Sequence, residues 1–122
     1  MDGVTWPTSE HYFQAQKFPD PAIQARICAA ASPMEAAALG RSREFPLRLD
    51  WEQVKDDMMY TALQAKFTQH AELREALLAT GDATLIEHTT NDAYWADGGD
   101  GHGRNMLGIL LMRLRDALRR PA

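Results

Sequence analysis

The chain has 122 residues, which is enough for one domain with a modest hydrophobic core. Its 13 Lys and Arg against 17 Asp and Glu give a formal net charge of -4, which argues against broad, sequence-independent binding to nucleic acid. The single cysteine excludes an internal disulfide, and the longest apolar run, residues 106–112, is too short to cross a bilayer.

The first 30 residues predict the end of a strand followed by two short helices. Residues 3–6 are expected to form the strand end. Thr8 and Ser9 are both good helix caps, and the helix that they start is expected to continue to about Phe18, where two prolines follow. Asp20 then caps a second helix over residues 21–30, with a proline in its first position.

The middle of the chain predicts a short helix, a loop and a longer helix. Ser32 and Glu35 form a capping box, and Gly40 is expected to stop the helix that this box starts. Residues 41–49 are basic and contain a proline, so they predict a loop. Asp50 is expected to cap the longer helix that follows.

The last third predicts two helices with a strand between them. A helix is expected over about residues 70–79, and residues 84–89 alternate enough to be a strand before a glycine-rich loop. Asn105 caps the last helix, whose first half, residues 106–114, is apolar nearly all round and is therefore expected to be buried. The elements predict an α+β fold that is predominantly helical, with a small β-sheet and a buried C-terminal helix.

Residues 8–18 carry the first candidate site. On a helix that advances about 100° per residue, Glu10, Gln14 and Lys17 fall within roughly 60° of one another, so an acid, an amide and an amine share one stripe. The stripe can form a polar site if it faces a cleft, and otherwise it is an exposed face with a Glu-to-Lys ladder. His11 lies on a different face, where a core histidine is an equally good interpretation. Spacing alone does not choose between these alternatives.

Residues 94–105 carry the second candidate site. Glycines let backbone N–H groups approach a ligand closely, and the N-terminus of the following helix suits a phosphate. Arg104 can add a fork of donors, and the aromatic pair Tyr94 and Trp95 can stack on a ring. A flexible surface loop is the alternative, but a glycine-rich turn that leads into an apolar helix favours binding.

Residues 84–92 are a weaker candidate. Glu87 and Asp92 bracket His88, and such acids can orient a water or stabilise an oxocarbenium-like cation, although strand positions that face water explain the pattern better. The four histidines have no paired spacing of a zinc site, and there is no nucleophile elbow or dinucleotide fingerprint. No metal and no cofactor are expected.

Four blocks, in order, resemble the YbiA/NADAR family and together cover nearly the whole chain. They are Trp6–Phe18 (WPTSEHYFQAQKF), residues 65–74, residues 80–88, and residues 91–108 with their Asn-Asp-Ala-Tyr-Trp and Gly-Arg-Asn segments. The resemblance implies a mainly helical fold with a small sheet. It also implies hydrolysis of a C1'–N bond of a phosphorylated ribose, either in ribosylamino-pyrimidine 5'-phosphates of early riboflavin biosynthesis or in ADP-ribosylated guanine.

At the matching positions, the resemblance implies catalytic roles for three residues. Glu10 would polarise the ribose or activate water, Lys17 would trap the opened sugar as a Schiff base, and Asp92 would stabilise cationic charge or position water. Trp95 would stack on the base or ribose. Substrate contacts are expected from nine residues in all: His11, Tyr12, Gln14, Trp95, Gly99, Asp100, Gly101, Arg104 and Asn105.

Three functions stay open at this point. The leading hypothesis is an N-glycosidase that clears phosphorylated ribosylamine intermediates of riboflavin biosynthesis. The second is an ADP-ribosyl-guanine glycohydrolase of the NADAR type that acts on nucleic acid, and the third is a non-catalytic sensor that binds ADP-ribose or a related nucleotide. The acidic balance and short length favour the small-molecule substrate, because a nucleic-acid substrate would want a basic approach surface.

The resemblance also bears on the ends and partners of the chain. It implies one YbiA/NADAR-like domain over residues 1–122 that lacks the strand segment with which family members usually begin. An unpaired sheet edge favours association, so a homo-oligomer is a possible partner state, and no membrane partner is expected. The residues after Met1 lack the basic and then apolar run of a signal peptide, so a cytoplasmic location is expected.

Overall fold

The structure is a computed structural model that describes residues 6–42 and 46–119. This part of the chain forms the helices α1 (Ser9–Ala15), α2 (Pro21–Cys28), α3 (Pro33–Gly40), α4 (Trp51–Gln69), α5 (Ala71–Ala79) and α6 (Met106–Arg119). The chain divides into two compact units, Met1–Ala65 and Lys66–Ala122. None of the helices described here is both long and apolar enough to span a membrane.

The first unit begins its three short helices where the capping residues predict. The side-chain oxygens of Thr8, Asp20 and Ser32 each accept a hydrogen bond from a backbone N–H two or three residues further on. These bonds satisfy donors that a helix N-terminus leaves unpaired. The three predicted starts are therefore confirmed.

The ends of α1 and α2 differ from the predictions, since α2 ends at Cys28 rather than at residue 30, whereas α3 ends at Gly40 as predicted. Helix α1 ends at Ala15 rather than near Phe18, because the residue before Pro19 avoids the helical conformation and the chain closes in tighter turns. Gly40 does not stop α3 as a left-handed cap. It is the last residue of the helix, its φ is not positive, and Arg41 follows it as the C-cap.

The core of the first unit forms where α1 meets α2 and α3. Its buried cluster consists of Ala15, Phe18, Ile23, Ile27 and Ala36. The alanines at positions 15 and 36 are fully buried and let the helices approach closely. Residues 11–15 are all buried, so α1 is covered on most of its sides and its polar residues lie inside the protein.

In the second unit, α6 packs against α5. Helix α5 ends at Ala79 with Thr80 as its C-cap, and Gly81 follows with a φ of 62°, the left-handed value that glycine favours after a helix. The expectation of a buried C-terminal helix is met along one stripe of α6 only, because Ile109 is 46% exposed. The buried residues of α6 are Gly108, Leu110, Leu114 and Arg115. Three polar residues of its second half, Arg113, Asp116 and Arg119, are exposed on the other side.

The predicted strand at 84–89 is absent, and the described residues contain no strand at all. The backbone of this segment pairs instead with a side chain: Asn105 Oδ1 accepts from Glu87 N, and Asn105 Nδ2 donates to Leu85 O, both at 2.9 Å. The α+β assignment with a small β-sheet is therefore wrong for the described residues, which are helical with ordered loops. They also offer no sheet edge for the expected association. Of the strand end expected at 3–6, residues 3–5 lie outside the described residues.

Candidate active site

Glu10 and Gln14 lie one turn apart on α1 and are joined directly. Gln14 Nε2 donates a hydrogen bond to Glu10 Oε1 at 2.7 Å. Gln14 is buried and Glu10 is half-buried, so the stripe is not the exposed face that the sequence also allowed. Glu10 Oε2 has no hydrogen-bond partner among the described residues. That oxygen is therefore the one that the site can offer to a substrate or a water.

Lys17 lies in the turn that follows α1. Its Nζ donates a long hydrogen bond of 3.4 Å to Gly40 O and lies 6.0 Å from the centroid of the Phe13 ring. The side chain is half-buried, so the amine is held inside the first unit rather than extended into solvent. As a cation it can donate hydrogen bonds to sugar or phosphate oxygens, and as a free amine it can attack a carbonyl carbon.

His11 and Tyr12 lie in the core of the first unit. His11 is 1% exposed, and its Nε2 lies 3.0 Å from Ala30 O. Because a carbonyl only accepts, Nε2 carries the proton, and Nδ1 accepts from the Thr8 hydroxyl at 2.6 Å. Tyr12 is also buried and meets the Trp6 ring edge-on. The geometry favours the core interpretation of His11, and substrate contacts by these two residues stay predictions.

Asp92 organises the start of the loop in the second unit. Its Oδ1 accepts from Tyr94 N at 2.8 Å and from Trp95 N at 2.7 Å, a turn that aspartate side chains favour. The two aromatic rings that it holds meet nearly at right angles, with centroids 4.8 Å apart. Asp92 Oδ2 has no hydrogen-bond partner in the part of the chain that the structure describes. The loop thus joins Asp92 to Trp95 as a structural pair.

Asp97 is the centre of the same loop. Its Oδ2 accepts from His88 Nδ1 at 2.7 Å, and its Oδ1 accepts from Gly99 N at 2.8 Å and Thr89 N at 3.2 Å. The hydrogen bond from His88, followed by that from Gly99, lowers the pKa of Asp97. The same hydrogen bond and the charge of Asp97 raise the pKa of His88. The Asp97 side chain is 9% exposed, whereas His88 is 72% exposed and presents its imidazole to solvent.

The glycines around Asp100 shape the far end of the loop. Gly99 has a φ of 88°, and a Cβ there would collide with the Thr90 side chain. Asp100 Oδ1 accepts from His102 N at 2.9 Å, and this bond lowers the pKa of Asp100. Gly101 is exposed, with a φ of 84° and open space where a side chain would be. Gly99 is thus fixed by close packing, and Gly101 by its backbone conformation alone.

The N-terminus of α6 does not present the phosphate cradle that the sequence suggests. The four backbone N–H groups of residues 104–107 each donate to a carbonyl of residues 93–96, at 2.7–3.0 Å. The side chain of Asn105 is held by the segment at 85–87, as described above. The group that this loop offers to an anion is the exposed guanidinium of Arg104, whose central carbon lies 5.1 Å from the centroid of the Tyr94 ring.

The family can be assigned from comparison with known proteins. The family model described as the NADAR domain matches residues 1–119. The chain belongs to the NADAR domain family. It is 62% identical over 118 residues to N-glycosidase YbiA of Escherichia coli (strain K12), across 97% of this chain and 74% of that protein. The NMR structure of E. coli YbiA matches with a TM-score of 0.90 at 62% identity, covering 97% of this chain and 70% of that one.

Two more distant relatives carry related names. An N-glycosidase of Nostoc punctiforme is 49% identical over 117 residues, across 93% of this chain and 75% of that protein. A riboflavin biosynthesis protein of Vibrio vulnificus is 44% identical over 122 residues, across 100% of this chain and 33% of that protein. This NADAR protein is an enzyme of the N-glycosidase class, a hydrolase that acts on N-glycosyl bonds. The family resemblance predicted from the four sequence blocks is confirmed.

Two residues of this NADAR protein have roles that the sequence did not reveal. Asp97 lies in an Asp-Gly-Gly segment, a pattern in which an aspartate often accepts from backbone N–H groups, so its role in the loop was open to prediction. Gly40 resembles any helix-terminal glycine, and nothing in the sequence indicates its contact with Lys17. Among the described residues, no group of three or more His, Cys, Asp or Glu side chains could hold a metal ion.

Proposed function

We propose that this enzyme hydrolyses the C1'–N bond of phosphorylated ribosylamine intermediates of riboflavin biosynthesis. The observation that carries the proposal is the half-buried stripe of α1, where the amide of Gln14 holds the carboxylate of Glu10 and the amine of Lys17 lies one turn further on. The names of the Vibrio vulnificus relative and of a riboflavin biosynthesis protein of Zea mays, 44% identical over 127 residues, support the substrate class.

The carboxylate suits the hydrolytic step. When the C1'–N bond breaks, its electron pair goes to nitrogen, which takes up a proton, and positive charge develops on C1' and the ring oxygen. A water oxygen then bonds to C1' and loses one proton. Glu10 Oε2 is the acceptor for that proton, because Oε1 is already held by Gln14. The sum of the steps is one water consumed, one sugar hydroxyl formed and one N–H formed on the leaving base.

The amine of Lys17 suits a second route to the same products. In the ring-opened sugar, C1' is doubly bonded to the base nitrogen, and the Lys17 amine can add to C1' and displace that nitrogen as the free amine. The resulting Schiff base between Lys17 and C1' is then hydrolysed by water to the free sugar and the regenerated lysine. This route predicts a covalent intermediate that a hydride reductant can trap.

The proposal also assigns a role to individual residues of the loop in the second unit. Asp92 stabilises cationic charge or positions water through Oδ2, Trp95 stacks on the base or ribose, and Arg104 pairs with phosphate. The backbone N–H groups of Gly99 and Asn105 are already bonded within the loop, so these two residues act through its shape. Gly101 keeps its expected role of holding the phosphate or the sugar hydroxyls.

A paired hydrolysis assay on purified protein tests the proposal. One arm uses freshly made ribosylamino-pyrimidine 5'-phosphate and the other uses ADP-ribosylated guanine DNA, each with Lys17→Ala beside the wild type. Release of ribose 5-phosphate in the first arm alone is the expected result. Release of ADP-ribose in the second arm would replace the proposal with the ADP-ribosyl-guanine glycohydrolase. Binding of ADP-ribose without turnover in either arm would replace it with the sensor.

Trapping with borohydride tests the covalent route separately. A sugar adduct on Lys17, found by mass spectrometry after reduction, is the expected result. Lys66→Ala removes an exposed lysine of α4 and is the matched control, which should leave both the adduct and turnover unchanged. Full turnover by Lys17→Ala would remove this residue from the mechanism.

A further inference from the structure

Gly40 lies against the side chain of Gln14, which would have to move to make room for any other residue. Its backbone does not require glycine, because it is helical and its φ is not positive. Space requires glycine instead. A Cβ at position 40 would overlap Gln14 Oε1 and lie 2.7 Å from Gln14 Cδ, both far below van der Waals contact. The end of the Gln14 side chain would therefore have to move, so any side chain at this position would displace the amide.

The amide of Gln14 is held by Gly40 on one side and by Glu10 on the other. Its Oε1 is buried and has no conventional hydrogen-bond partner, although its Nε2 donates to Glu10 Oε1 at 2.7 Å. The missing Cβ of Gly40 would lie close to Oε1, so the Cα–H group of the glycine faces this oxygen and acts as a weak donor. The amide orientation is therefore set from both ends, with the nitrogen towards the carboxylate.

The carbonyl of the same glycine meets the second reactive group. Gly40 O accepts the 3.4 Å hydrogen bond from Lys17 Nζ. It lies in the last turn of α3, where unpaired carbonyls concentrate partial negative charge and attract a cation. One residue of α3 therefore touches both the amide that holds Glu10 and the amine of Lys17.

We infer that Gly40 is a positioning residue of the N-glycosidase reaction: its missing side chain keeps the Gln14 amide on the Glu10 carboxylate, and its carbonyl holds the Lys17 amine. The inference rests on the proposed roles of Glu10 and Lys17. Gly40 itself makes no contact with the reacting atoms. Its position is helical, and alanine favours a helix more than glycine does, so helix propensity does not explain the glycine.

The test is Gly40→Ala, assayed with ribosylamino-pyrimidine 5'-phosphate. Loss of a hydrogen bond to a charged group corresponds to a fall in kcat of roughly 10- to 100-fold, and KM should change less because the expected substrate contacts other than Gln14 remain. Gln14→Ala should lower kcat to a similar extent. The double variant Gln14→Ala/Gly40→Ala should lose no more than either single variant, because both act through the same contact.

Stability gives a second measurement that does not depend on turnover. Gly40→Ala should unfold at lower urea concentration than the wild type, although alanine favours a helix. Adding Gln14→Ala should restore much of that loss, because it removes the atoms that the new methyl group meets. If Gly40→Ala fails to fold and the double variant folds, that rescue supports the same contact.

Ala38→Gly is the matched control for stability, because it weakens α3 at an exposed position and should leave kcat unchanged. Wild-type kcat in folded Gly40→Ala, or multiplied losses in the double variant, would overturn the inference. If the double variant loses as much stability in urea as the two single variants together, the inference is overturned whatever the activity. If the wild type cleaves no N-glycoside, the proposed function fails, while the stability cycle still tests the contact between Gly40 and Gln14.

Discussion

The α1 stripe of Glu10, Gln14 and Lys17 and the loop of residues 88–107 are both polar, but they use their hydrogen bonds differently. In the stripe, Glu10 has one oxygen bonded to Gln14 and one without a partner among the described residues. In the loop, the carboxylate of Asp97 accepts three hydrogen bonds. The four N–H groups of residues 104–107 donate to carbonyl groups of the loop itself.

This difference separates what each region can contribute. A carboxylate oxygen with no partner among the described residues is available for chemistry, whereas donors and acceptors that are already paired inside a loop hold its shape. Substitutions in the stripe should therefore lower activity more than stability. Substitutions of the paired groups in the loop should lower stability more than the activity of the folded protein.

The largest expected effect is that of Glu10→Gln on activity. The new amide still offers Gln14 an acceptor oxygen but cannot take a proton from water, so kcat should fall roughly 100- to 10,000-fold. The free energy of unfolding should change by less than about 1 kcal/mol. Glu75→Gln, at an exposed position of α5, is the matched control and should leave both quantities unchanged. If Glu10→Gln keeps the wild-type kcat, the α1 stripe does not contribute to the reaction as proposed, and it no longer differs from the loop in this respect.

Asn105→Ala should give the largest loss of stability in the loop. It leaves Glu87 N–H and Leu85 C=O without their partner and places alanine at a φ of 52°, so the free energy of unfolding should fall by about 2–4 kcal/mol. Urea unfolding measures the loss. Asn91→Ala, at an exposed position nearby, should change it little. A variant that stays stable but loses turnover would make Asn105 a ligand contact and break the comparison.

His11→Ala tests whether the stripe extends to the neighbouring helix face. The substitution leaves a cavity in the core and removes the partner of Ala30 O, so unfolding should become easier by about 2–3 kcal/mol. The kcat of the folded variant should match the wild type. An increase in KM without a loss of stability would instead support the predicted substrate contact of His11.

The sequence predicts the first unit better than the second because its signals are local. A cap at Thr8, Asp20 or Ser32 acts over two or three residues, so the pattern alone predicts it. The strand expected at 84–89 fails because its backbone partner is a side chain about 20 residues away. Alternation along the chain cannot distinguish that pairing from pairing with a second strand.

Within the candidate site, the sequence predicts which groups share a face but not which groups they contact. Helical spacing places Glu10 and Gln14 one turn apart, and the hydrogen bond between them follows from that spacing. The role of Gly40 depends on the approach of another helix, and the spacing within α1 contains no information about it. The glycines of the loop signal tight turns correctly, but the partners of its backbone N–H groups depend on the folded path.

The smallest expected effect is the pH dependence of the stability that the pair His88 and Asp97 gives to the loop. The raised pKa of His88 means that its stabilisation is complete below its ordinary value of 6.5 and is lost as pH rises through the raised pKa. The lowered pKa of Asp97 means that its stabilisation is complete above its ordinary value of 3.8 and is lost as pH falls through the lowered pKa. The pair therefore contributes most between these two ordinary values.

His88→Gln measured against wild type by urea unfolding across that range tests the pair. The stability difference should be largest between pH 3.8 and 6.5 and should shrink on both sides. A flat difference for His88→Gln would mean that the pair does not hold the loop. A large fall in kcat with unchanged stability would mean that the exposed imidazole takes part in the reaction. A residue that only stabilises the loop would lower kcat only together with stability.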